Sequence, residues 1–107
     1  MSQSPAARTL TAAELEQKLA RKEPLTLLDV RRKADRDASG DAIPGAQWRD
    51  PERLQEWATQ IPRDQEVVLY CARGGSVSNS VVDFLRQQGL NARFVEGGIA
   101  AWQAAHK

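Results

Sequence analysis

The only cysteine of the chain, Cys71, begins a loop of small residues between an apolar run and an amphipathic segment. The loop reads CARGGSVS, and we expect the amides of four residues to face the concavity: Gly74, Gly75, Ser76 and Val77. Backbone amides and the positive end of a helix both stabilise anions, so they favour a thiolate over a thiol. The pattern therefore indicates a nucleophilic cysteine that acts on a small anionic substrate.

This loop is positioned by the segments on either side of it. Before it, the run VVLY is short, apolar and rich in β-branched residues, which is typical of a strand buried on both faces. After it, apolar residues recur at the spacing of one helical face. They are Val77, Val81, Phe84 and Leu85. Cys71 should then lie at the carboxyl end of a strand, where parallel sheets bind their ligands.

Other helices and short strands alternate along the rest of the chain. We expect strands at about residues 25–30, 46–48 and 92–95, and helices at about 12–20, 51–61 and 99–102. The polar stretch RRKADRDASGDA is interpreted as a connection, and residues 1–7 as a frayed end. Alternation of this kind predicts parallel strands joined by crossover helices, in a three-layer α/β sandwich.

Composition limits the kind of partner. The chain has 107 residues, which fits a single domain over 1–107, and its formal net charge of +1 argues against nucleic acid or an anionic membrane as partner. The first residues contain no apolar block typical of a signal peptide or membrane span. One cysteine and one histidine cannot form a disulfide or a tetrahedral metal site. We expect no metal, no cofactor and a reducing, cytoplasmic setting.

Four segments, in this order and spacing, make the chain similar to the single-domain rhodanese family of sulfurtransferases. They are LLDVR at 27–31, IPGA at 43–46, the cysteine loop, and GGIAAW at 97–102. The resemblance implies a five-stranded parallel sheet flanked by helices. It also implies that Cys71 accepts sulfane sulfur as a persulfide from a small anion such as thiosulfate. The acceptor would be a thiol, cyanide or a protein.

The resemblance also bears on substrate-binding residues. Arg73 stands where several family members carry a cation, and its guanidinium would pair with the sulfonate oxygens of a donor. Arg36 replaces an aromatic residue often found in the family and is a second candidate cation. Asp41-Ala42 replaces the usual Gly-His. Together with the loop residues named above, Arg73 and Arg36 form the predicted donor site.

Several polar residues near the predicted site have two interpretations. Ser76 and Ser78 would donate to the sulfur or cap the helix. Asp29 is expected to accept hydrogen bonds from loop amides. Arg31 would lie beside the pocket or form a surface ion pair of little energetic consequence.

Alternative functions remain open at this point. A cysteine phosphatase or arsenate reductase of related fold would resemble Cys-x5-Arg, but the closing position of that pattern is occupied here by Val77. A non-catalytic interaction module would have no need of the thiol. A sulfur carrier within a larger relay would differ from an enzyme mainly in its partner.

Overall fold

Five parallel strands form a sheet in which the strand preceding Cys71 is central. The computed structural model describes residues 8–39, 42–72 and 75–105. Its strands are β1 (Thr9–Leu10), β2 (Leu25–Asp29), β3 (Gln47–Trp48), β4 (Glu66–Tyr70) and β5 (Ala92–Val95). The spatial order is β1-β5-β4-β2-β3, and each neighbouring pair is parallel. The predicted α/β class with a five-stranded parallel sheet is confirmed.

Helices cover both faces of this sheet. They are α1 (Ala12–Ala20), α2 (Lys33–Ser39), α3 (Leu54–Trp57), α4 (Ser76–Gln87) and α5 (Gly98–Ala105). Apolar residues of α1 and α5 form one buried cluster with the sheet, and those of α3 and α4 form another on the opposite face. Within the described ranges, no helix is long and apolar enough to cross a membrane.

The local sequence signals explain most of these elements. The Thr-Ala-Ala-Glu pattern at residues 11–14 predicts a capping box at the start of α1. The structure confirms it: the Thr11 side chain accepts from the amide of Glu14, and the Thr11 amide donates to the Glu14 carboxylate. Asp50 accepts from the amide of Glu52, as expected of an N-cap before Pro51.

Three element predictions need correction. The helix expected at 51–61 is instead a short α3 between two 3₁₀ turns, Pro51–Arg53 and Ala58–Gln60. The polar connection contains α2, which lacks a buried apolar stripe and carries an ion pair between Lys33 and Asp37. The two-residue β1 was also missed, because so short a run has no periodicity to detect.

Side chains alternate between the two faces along β4. Val67, Leu69 and Cys71 belong to the cluster that includes α3 and α4, whereas Val68 and Tyr70 belong to the other cluster. This is the two-residue period of a strand that is buried on both sides. The period places the thiol of Cys71 on the face covered by α4.

The end of β4 is held by the beginning of α5. The amide of Ile99 donates to the carbonyl of Cys71 at 2.9 Å, and that of Ala100 donates to Ala72 at 3.3 Å. Gly98 has φ +59°, and a Cβ at this position would lie 2.2 Å from the Cys71 carbonyl oxygen. Glycine is therefore required both by the backbone conformation and by this close approach.

We predict that Gly98→Ala destabilises the fold more than Gly45→Ala does. Both positions have positive φ, but a Cβ at Gly45 would meet nothing within 4 Å. Gly45→Ala should cost only the conformational strain of about 1–2 kcal/mol. Gly98→Ala should add an overpacking cost of about 1–3 kcal/mol. Urea denaturation of both variants measures the difference in the free energy of unfolding. Equal losses would show that the Cys71 backbone shifts at little cost to make room for the added methyl group.

Candidate active site

Cys71 lies in the wall of a small cavity at the carboxyl edge of the sheet. Its side chain is buried, with 6% of the residue exposed, and it directly follows the last residue of β4. The cavity has a volume of about 220 Å³. The residues that line it come from the ends of β2 and β4 and from the starts of α2 and α4: Arg31, Arg32, Asp35, Cys71, Ala72, Gly75 and Val77.

Two of the predicted donor-site residues, Gly75 and Val77, lie in this wall. Gly75 is also the N-cap of α4, and because glycine has no side chain it cannot itself cap that end of the helix. Ser76 is the first residue of α4, and its side chain is not among the described ones. Arg73 and Gly74 lie outside the described residues, so their predicted contacts with a donor stay predictions.

The two arginines on and before α2 occupy different places. Arg36 stacks on Trp48, with its guanidinium carbon 5.3 Å from the ring centroid, and it is absent from the cavity wall. Arg32 does line the cavity, and sequence reasoning missed it. Its position just after β2 was the available signal, since the carboxyl ends of β2 and β4 meet at one edge.

Asp29 and Arg31 form a buried ion pair beside the cavity. The Arg31 Nη2 donates to the carboxylate at 2.7 Å, and its Nε donates at 3.0 Å. The backbone amide of Arg31 also donates to Asp29 at 3.0 Å. Asp29 is thus the acceptor for a loop amide, as predicted. The interpretation of Arg31 as part of a surface pair is wrong, because the residue is only 1% exposed.

Contacts around Arg31 fix its position. Its guanidinium carbon lies 5.7 Å from the centroid of the Tyr70 ring, and its carbonyl accepts from Nε1 of Trp48 at 2.9 Å. Removing one member of such a buried pair typically costs about 3–5 kcal/mol, because the other charge is left uncompensated. Arg31 therefore lines the cavity as a fixed charge that Asp29 neutralises.

Ser78 is fully buried in α4, in the turn that follows the cysteine loop. Within the described ranges its Oγ has no hydrogen-bond partner. The structure therefore gives no support to Ser78 as a helix cap. A buried hydroxyl without a partner costs about 1–3 kcal/mol, so Ser78 adds no stability through hydrogen bonding there.

Tyr70 connects the central strand to the segment before β3. Its hydroxyl accepts from the amide of Ile43 at 3.2 Å. Ile43 also begins a hydrogen-bonded turn in which Gly45 has φ +88°. Burial raises the pKa of Tyr70 to about 12, and the charge of Asp29 adds to the rise. The neutral phenol is therefore the form that the folded protein stabilises.

We predict that phenolate absorbance of the native protein titrates near pH 12, and that of the urea-unfolded chain near the ordinary value of about 10. Tyr70 is the only tyrosine, so the signal reports this residue alone. Below about pH 10 both states keep the proton. As pH rises from about 10 to about 12 the unfolded chain ionises first, so the contribution of the neutral Tyr70 phenol to folding stability is lost. A native midpoint near 10 would contradict the buried hydroxyl.

Comparisons with known proteins agree with this architecture. A model of the family described as "Rhodanese-like domain" matches residues 11–105. "Putative sulfurtransferase YtwF" of Bacillus subtilis is 32% identical over 100 residues, which cover 94% of each chain. A "Sulfurtransferase" of Allochromatium vinosum is 35% identical over 97 residues, covering 87% of this chain and 85% of that protein.

A solved structure of a related protein has the same fold. The rhodanese-related protein of Thermoplasma volcanium superposes with a TM-score of 0.79 at 31% identity, covering 92% of this chain and 93% of that one. The family match spans nearly all of the described residues, including the cysteine edge of the sheet and the α5 contact behind it. The chain belongs to the rhodanese-like domain family.

Proposed function

We propose that the protein is a sulfurtransferase that carries sulfane sulfur as a persulfide on Cys71. The observation that carries the proposal is the burial of the only cysteine in a small cavity at the carboxyl end of β4. The relatives named as sulfurtransferases support the same chemistry. The small volume of the cavity suits a small donor, and we propose thiosulfate.

In the first half-reaction the Cys71 thiolate attacks the outer sulfur of thiosulfate. A bond forms between the two sulfurs, and the sulfur–sulfur bond of thiosulfate breaks with its electron pair leaving on sulfite. The products are the Cys71 persulfide anion and sulfite, so charge and atoms balance. This is covalent catalysis through an enzyme-bound intermediate.

Charges around the cavity must attract the donor and then release sulfite. Arg32 lines the cavity, and its side chain makes no ion pair within the described part of the chain. We propose that Arg32 and Arg73 interact with the sulfonate oxygens, and that the amides at the start of α4 face the sulfane sulfur. The glycines of the loop would allow that close backbone approach.

A phosphatase is the second candidate from the same fold, and the cavity argues against it. Asp35 lines the cavity, so a carboxylic acid is available to protonate a leaving group. The position that closes a Cys-x5-Arg loop is occupied by Val77, which also lines the cavity. Phosphoryl transfer depends on a cation beside the transferring group, and valine at this position cannot supply that charge.

We predict that thiosulfate adds one sulfur atom to the intact protein, that a reductant removes it, and that Cys71→Ser abolishes the addition. The variant should fold normally, since serine is close in size, and circular dichroism is the control. Intact mass spectrometry measures the adduct. Sulfur addition to the folded Cys71→Ser variant would refute the role of Cys71. Thiosulfate-treated wild type without an adduct would refute thiosulfate as donor.

We also predict thiosulfate–cyanide sulfurtransferase turnover with negligible hydrolysis of aryl phosphates by the same preparation. The physical reason is the missing closing cation at Val77, which matters for a phosphoryl group and not for a sulfane sulfur. Both activities are measured on wild type and on Cys71→Ser. Cys71-dependent phosphatase turnover without a detectable persulfide would reverse the assignment. Absence of both activities, with no adduct, would favour an interaction module.

A further inference from the structure

A second cavity adjoins the one that contains Cys71. It has a volume of about 380 Å³ and shares Arg32 and Val77 with the first. The other residues that line it are Pro51, Glu52, Ser80 and Val81. Ligand pockets typically measure about 300–1,000 Å³, so the second cavity is large enough for an organic molecule. A small inorganic donor would leave it empty.

Among the residues that the structure describes, the charged groups of the second cavity are Arg32 and Glu52. Within the described ranges, neither side chain makes a hydrogen bond or an ion pair. Charged residues close to them in sequence do find partners: Lys33 lies 2.8 Å from Asp37, and Arg53 lies 3.3 Å from Glu56. The described wall thus presents the cation of Arg32 and the carboxylate of Glu52 to a ligand, and these two charges do not neutralise each other by direct contact.

The remaining wall is suited to the uncharged part of such a ligand. Val77, Val81 and Pro51 are apolar, and Ser80 supplies a hydroxyl. A ligand that places its sulfur at Cys71 and its other groups in this cavity must pass Val77 and Arg32, which belong to both walls. A short aliphatic stem between the sulfur and the charged groups meets that requirement.

We infer that the second cavity is the acceptor site, and that its ligand is a small thiol carrying both a carboxylate and an ammonium group, as amino-acid thiols do. Arg32 binds the carboxylate and Glu52 binds the ammonium. This inference rests on the proposed sulfurtransferase function and names its acceptor class. Arg32 is then the residue that links donor binding to acceptor recognition, because it lines both cavities.

The transfer step follows from the persulfide on Cys71. The Cys71 persulfide anion first takes a proton from solvent, and the acceptor thiolate then attacks its outer sulfur, forming a new sulfur–sulfur bond. The bond between the outer sulfur and Cys71 breaks, and its electron pair returns to Cys71 as the thiolate. The proton stays on the transferred sulfur, so the products are a free Cys71 thiolate and the acceptor persulfide.

The experiment compares Arg32→Gln and Glu52→Gln against four acceptor thiols. Cysteine carries both charged groups, 3-mercaptopropionate the carboxylate, cysteamine the ammonium, and 2-mercaptoethanol neither. Each thiol is compared between variant and wild type, so its intrinsic reactivity cancels. Transfer starts from Cys71 persulfide, loaded with thiosulfate or, if that fails, with inorganic polysulfide. Arg53→Gln and Glu56→Gln are matched controls outside both cavities.

Arg32→Gln should lower kcat/KM about tenfold for cysteine and 3-mercaptopropionate and leave the other two thiols nearly unchanged. Glu52→Gln should do the same for cysteine and cysteamine. Equal losses on all four thiols, no loss, or selectivity in only one variant would each overturn the inference. Persulfide formation from thiosulfate, followed by mass, tests the proposed function separately. The two failures are therefore distinguishable.

Discussion

The site depends on a backbone contact: the end of β4 lies directly against the first turn of α5. The carbonyl of Cys71 accepts from Ile99, and Gly98 approaches that carbonyl more closely than any residue with a Cβ could. A strand end is normally free to fray, since its last carbonyls have no ladder partner. Here the carbonyls of Cys71 and Ala72, which directly follow β4, accept hydrogen bonds from amides of α5. The side chain of Cys71 lies on the face covered by α4, while its carbonyl is bound to α5.

The charges at this edge of the sheet differ in burial. Arg31 is neutralised by Asp29 and held by Tyr70 and Trp48, so it belongs to the scaffold although it lines the cavity. Among the described residues that line the cavity, Arg32 and Asp35 are charged and lie on exposed positions just beyond β2. The described wall therefore combines a buried, neutralised ion pair with exposed charged neighbours.

Sequence reasoning worked where a local pattern has one physical cause. The apolar run that forms β4 and the Thr-Ala-Ala-Glu pattern at the start of α1 each predict a geometry that the structure contains. It failed on α2, because a polar helix without an apolar stripe has no periodic signal. It missed Arg32 as a wall residue, although the position of Arg32 just after β2 was a signal. The sequence places several residues at this edge of the sheet, and which of them lines the cavity depends on how the ends of β2 and β4 approach in space.

Arg32 and Arg36 differ in the contacts that their side chains already make. The Arg36 guanidinium stacks on the half-buried ring of Trp48 and lies 3.7 Å from the Asp37 carboxylate. Arg32 precedes the helix, is exposed, and faces both cavities without a described partner. A cation that is free to pair gains more from an incoming anion than one that must first leave a stacked position. Between these two arginines, Arg32 is therefore the one whose charge is better placed to pair with an anion in the cavity beside Cys71.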